Sequence, residues 1–126
     1  MNSPWAKLPN AHHIDWVLKS VEENTPLWNM ARWKVRNLVP NTCLTEGNRA
    51  AEAAGRSEVL YAAWDAVLLT NMAGEAWSAV LALIAYDDCD QYLNMGYEKL
   101  LVYATVSENP QAIMLLPMVY VREKIK

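Results

Sequence analysis

The sequence predicts an all-α fold, and three observations carry that prediction. Apolar residues recur at helical spacing along most of the chain. Pro, Asn and Gly separate the segments so defined. The only β-rich window, Val102 to Val106, is too brief to build a sheet alone. With 126 residues, 53% hydrophobic and 20% charged, the chain is too apolar for disorder and has the size of one domain. The expectation is a single helical domain over residues 1–126, a compact bundle of five or six helices around a central apolar helix.

The elements follow in order. Asn10 is placed to cap a first helix in which Ile14, Val17, Leu18 and Val21 share a face. Asn24-Thr25-Pro26 stops it and starts the next, with Thr25 suited to the N-cap and Pro26 pre-set for the first helical position. The second helix runs to about Leu38, with Leu27, Met30, Ala31, Val35 and Leu38 on one side, and Val39-Pro40-Asn41 ends it. A loop containing Cys43 is expected to lead to Thr45, the cap of a long alanine-rich helix. That helix is supported by the Glu52/Arg56 pair, with Leu60, Ala63, Trp64, Val67 and Leu68 as its core stripe. Asn71 to Gly74 is its weakest point, a break or a bend.

Glu75 to Tyr86 is apolar on every side, the signature of a buried helix, and is expected to be the central element. Asn94-Met95-Gly96 marks a joint before a short helix around Tyr97 to Val106. Ser107-Glu108-Asn109-Pro110 repeats the pattern of cap then proline. The last helix carries Ile113, Leu116, Val119 and Tyr120, with Pro117 inside it, where a kink or a shortening is expected.

Composition narrows the function. A net charge of −3 argues against a dedicated nucleic-acid binder, whose domains are usually basic. The longest apolar run, Ala79 to Tyr86, is eight residues, against roughly 20 for a membrane-spanning helix. No secretory signal is visible in Met1 to Asn10, so the expected compartment is a reducing cytoplasm with Cys43 and Cys89 as thiols. The four glycines are scattered singly, so no phosphate-cradling loop is expected. His12 and His13 are neighbours, about 100° apart on a helix, and are not expected to share a ligand as i,i+4 histidines do. Neither has a nucleophile partner. The expectation is therefore no enzyme, no catalytic residue, no cofactor and no metal.

Two clusters remain as contact candidates. Asp87, Asp88 and Asp90 follow the most apolar stretch; they read as helix caps, with Gln91 three after Asp88 as in a capping box, or as an acidic patch facing a partner. Trp28, Arg32, Trp33 and Arg36 combine the residue types enriched where interfaces bind most strongly. Trp28 and Trp33 lie about 140° apart around a helix, so at least one should face solvent. Charge is uneven: residues 1–45 hold five bases and three acids (+2), residues 46–98 two bases and nine acids (−7), and residues 99–126 four bases and two acids (+2). The acidic middle is complementary to a basic partner surface.

Ala62-Ala63-Trp64-Asp65-Ala66-Val67-Leu68, Leu83-Ile84-Ala85-Tyr86-Asp87-Asp88-Cys89 and Ala112-Ile113-Met114-Leu115-Leu116-Pro117 resemble stretches of small alanine- and tryptophan-rich helical proteins encoded by tailed bacteriophages. The resemblance covers Ala62 to Pro117. It implies an accessory phage protein in the cytoplasm of a bacterial host, and no site residues. The expected function is a small acidic protein-binding module that modulates a host protein or defence complex, with a second copy of the chain left open as a partner. The alternative is a nucleic-acid-associated factor using Trp28 to Arg36.

Overall fold

The computed structural model describes residues 5–39, 41–55, 74–107 and 109–125. Among them are seven helices and no strand: α1 (Ala11–Glu23), α2 (Thr25–Leu38), α3 (Asn41–Gly55), α4 (Gly74–Ala85), α5 (Asp90–Leu93), α6 (Tyr97–Ser107) and α7 (Pro110–Ile125). The stripe from Leu60 to Leu68 and the expected break at Asn71, Met72 and Ala73 lie outside the described residues.

Several boundaries follow the local signals. Asn109 Oδ1 accepts from the backbone N–H groups of Gln111 (3.0 Å) and Ala112 (3.3 Å), with Pro110 at the first helical position, so α7 starts on a conventional cap. Gly96 takes φ +85°, a conformation that costs an L-residue roughly 1–2 kcal/mol, and this sharp turn separates α5 from α6. The α1/α2 joint is one residue earlier than expected: Asn24 is the cap, while Thr25 is inside α2 and its hydroxyl donates to the Val21 carbonyl at 2.8 Å.

Other expectations are corrected. Cys43 lies within α3, which begins at Asn41, rather than in a loop before Thr45. The extra helix beyond the expected six is α5, one turn long, formed after the chain breaks at residues 86–89. Pro117 does not shorten α7, which continues to Ile125. An interior proline costs about 3 kcal/mol, and here the ring is buried within a helix that packs on α2, α3, α4, α5 and α6.

Two helices of the described fold are deeply buried. Ala79 to Ile84 of α4 are all buried, and α4 packs on α1, α2, α3 and α7. Yet every residue from Ala112 to Val121 of α7 is buried, and α7 packs against more of the described helices than α4 does. Among the described residues α7 is thus buried over a longer run than α4. Gly47 is part of the reason that α3 approaches α7 so closely: a Cβ there would stand 3.3 Å from Met114 Cγ.

Two helix ends are completed from elsewhere in the chain. Asn10 occupies the N-cap position of α1 but makes no side-chain cap bond. Its buried Nδ2 instead donates to the carbonyls of Leu83 (3.1 Å) and Tyr86 (2.7 Å) at the C-terminal end of α4. These are among the acceptors that a helix end leaves unpaired. At the start of α6, the Tyr97 N–H donates to Glu123 Oε1, a side chain of α7.

Candidate functional site

Helix α2 has two apolar sides. Its inner stripe is Trp28, Ala31 and Val35, all buried. Trp28 is 1% exposed, and its Nε1 donates to Ser20 Oγ of α1 at 3.0 Å, so both the ring and its polar handle are accommodated. The expected inner face, through Leu27, Met30, Ala31, Val35 and Leu38, is rotated: Met30 (47%) and Leu38 are exposed. Trp28 and Trp33 are equally large, so size does not choose between them; α1 presents Ser20 Oγ to the Trp28 indole nitrogen, which lets that ring be buried with its N–H paired.

The outer stripe is what remains. Pro26, Asn29, Met30 and Trp33 line a shallow depression of about 490 Å³. They lie at i, i+3, i+4 and i+7, on the side of the helix opposite Trp28, Ala31 and Val35. Trp33 is 62% exposed. Arg32 and Arg36 are exposed on its flank, while Lys34 turns inward, its Nζ 5.4 Å from the centre of the Tyr120 ring. Of the four aromatic and basic contact candidates, Arg32, Trp33 and Arg36 are therefore on the surface and Trp28 is not. Burial against Ser20 removes Trp28 from any contact face. Met30, expected in the core, and Pro26, expected only to start the helix, take its place.

The acidic candidates separate as well. Asp87, Asp88 and Asp90 are all exposed. The N-cap of α5 is Cys89, without a side-chain cap bond, so the expected capping box is not formed; Gln91 Nε2 instead donates to Asp88 Oδ2 at 2.5 Å. Asp90 reaches back to α1, its Oδ1 lying 2.6 Å from His13 Nε2. The His13 bond holds the Asp90 carboxyl below the usual range. An ionised carboxylate only accepts, so the ring nitrogen donates. Burial lowers the His13 pKa more than the hydrogen bond to Asp90 raises it.

His12 joins this pair. The two imidazole rings lie against each other, tilted by 39° with centroids 3.9 Å apart, and one donor atom from each of His12, His13 and Asp90 lies within 4.8 Å of the others. The expected divergence of neighbouring histidines is corrected: at the first turn of α1, rotation about the side-chain torsions outweighs the separation of the Cα–Cβ directions. Asp90 lies 77 positions from His13, beyond any local spacing pattern.

Cys89 is sealed beneath this turn. Its Sγ donates to the carbonyls of Tyr86 (3.5 Å) and Ala82 (3.7 Å). Burial, and then the charges of Asp88, Asp90 and Asp87, push the thiol up to about 12. Both cysteines are free thiols, Cys43 being half-buried. No helix among the described residues is long and apolar enough to cross a membrane.

Comparison with protein-family models, with curated proteins and with solved structures gives no match.

Proposed function

We propose that this chain is a protein-binding module that holds a partner through the outer face of α2. The observation that carries the reading is the second apolar stripe of that helix, Trp33 and Met30 standing exposed opposite a complete inner stripe. An exposed tryptophan beside arginines has the chemistry of an interface anchor. Helix α2 carries three bases and no acid. The partner that fits is a protein segment with an apolar anchor and acidic neighbours. The resemblance to alanine- and tryptophan-rich phage proteins supports a bacterial host protein as its source, and a role as an accessory factor rather than an enzyme.

The test starts from proteins retained by the wild-type chain and lost by a folded Trp33→Ala/Met30→Ser variant, followed by titration of the purified partner. Trp33→Ala is expected to weaken the complex roughly 30-fold, the equivalent of about 2 kcal/mol, with melting unchanged. Asp87→Ala/Asp88→Ala is expected to leave binding intact. Equal binding by the α2 variant would refute the assignment. Tight binding of single-stranded oligonucleotides, falling steeply with salt and lost with Arg32 and Arg36, would favour the nucleic-acid reading instead.

A further inference from the structure

We propose that His12, His13 and Asp90 form a binding site for a divalent first-row transition cation of the zinc type, joining the start of α1 to the start of α5. Two imidazoles and one carboxylate are the donor set that such cations take. Magnesium and calcium prefer all-oxygen surroundings. The three donor atoms already lie within 4.8 Å of one another, without a sequence motif to bring them there.

The adjustment needed for coordination is small. Metal–ligand bonds of about 2.0–2.2 Å in tetrahedral geometry place neighbouring donors about 3.3–3.6 Å apart. The His13–Asp90 pair, at 2.6 Å, must open slightly, and the His12 ring must turn inward. The side chains that move are the exposed ones: Asp90 is 71% exposed and His12 faces solvent, while His13, half-buried in α1, provides the fixed donor. The cation takes the place of the proton that His13 shares with Asp90.

The surroundings are mixed in charge. Asp87 and Asp88, three and two residues from Asp90, add negative potential; Arg122, held by the Leu93 carbonyl at 3.5 Å, opposes it. Three protein donors leave a coordination position for water or for a group on another molecule. Because Asp90 is 77 positions from His13, the bound cation fastens two distant parts of the chain and stabilises the fold by mass action.

The experiment uses the full chain, stripped with chelator and dialysed. Zinc is titrated calorimetrically, cobalt(II) is followed by its visible ligand-field spectrum, and thermal melting is recorded with and without zinc. The expected result is one zinc per chain, a rise in melting temperature with zinc, and a cobalt spectrum that departs from the hexa-aquo ion. His12→Ala removes an exposed side chain and is expected to leave metal-free melting unchanged while weakening zinc at least about tenfold; Asp90→Asn should weaken it similarly. Cys43→Ser should bind like the wild type. The proposal is overturned by an unchanged aquo cobalt spectrum, by wild-type affinity in His12→Ala, or by loss of binding in Cys43→Ser. Competition by magnesium at matching concentration would also overturn it.

Discussion

Helices α7 and α2 use their apolar residues in opposite ways. Helix α7 buries ten consecutive residues, Ala112 to Val121, because other helices surround it. Helix α2 buries three of its fourteen residues, Trp28, Ala31 and Val35, yet carries Met30, Trp33 and Leu38 in solvent. Apart from Ile125, which is exposed, the large apolar side chains of α7 are used by the fold. The apolar content of α2 exceeds what the fold takes up, and Met30 and Trp33 lie in one stripe with Pro26, Leu38 standing apart from it near the end of the helix. Large apolar side chains left together on a surface mark a contact more often than isolated ones do.

Substitutions can break this contrast, beginning with the most severe. Leu116→Asp is expected to abolish cooperative melting in circular dichroism. An unpaired charge in a fully buried site costs several kcal/mol, against a total stability of roughly 5–15 kcal/mol. Trp33→Asp, which also introduces a carboxylate in place of a large apolar residue, should melt within about 0.5 kcal/mol of the wild type.

Within α2 itself the two tryptophans should differ nearly as much. Trp28→Ala leaves a cavity and strips Ser20 Oγ of its donor, so urea unfolding should show a loss of about 3–5 kcal/mol. Trp33→Ala should change stability by about 0.5 kcal/mol or less while affecting partner binding. A large effect of Trp33→Ala on stability would mean that its face is structural.

Asn10 offers a sharper comparison, between a local and a distant role. If it acted as the N-cap of α1, Asn10→Asp would be neutral, since the two residues cap equally well. In the structure its amide donates to two carbonyls of α4, and a carboxylate cannot. Asn10→Asp and Asn10→Ala should therefore both destabilise, by about 1–3 kcal/mol in denaturant titration.

The mildest contrast is between the cysteines. At pH 8, Cys43 should react with a thiol reagent in the native protein. Cys89, buried and held as a thiol by a pKa raised to about 12, should react only after urea unfolds the chain. Mass spectrometry of the modified peptides distinguishes them.

These comparisons also separate what was legible in the sequence from what was not. The helical class, the start of α7 at Asn109-Pro110, the turn at Gly96 and the burial of Ala79 to Ile84 followed from local signals. Propensity, caps and apolar runs act within a few residues, so they are written in contiguous sequence. The exposure of at least one of Trp28 and Trp33 was legible too, because two residues five apart face different ways on a helix. Which of them would be exposed was not.

The remaining features depend on how helices compete for one another's surfaces. Trp28 set the rotation of α2 only because α1 presents Ser20 to its indole nitrogen. Asn10 serves α4 and Glu123 serves α6 because packing brings unpaired backbone groups within their reach. The ten-residue burial of α7 reflects neighbours contributed by five other helices. His12, His13 and Asp90 meet across 77 positions for the same reason. The sequence by itself determined where the chain coils into helices, since each coil is closed by hydrogen bonds between near neighbours. Only the tertiary structure decided which face of each helix turns inward, since that depends on burial summed over residues far apart in the chain.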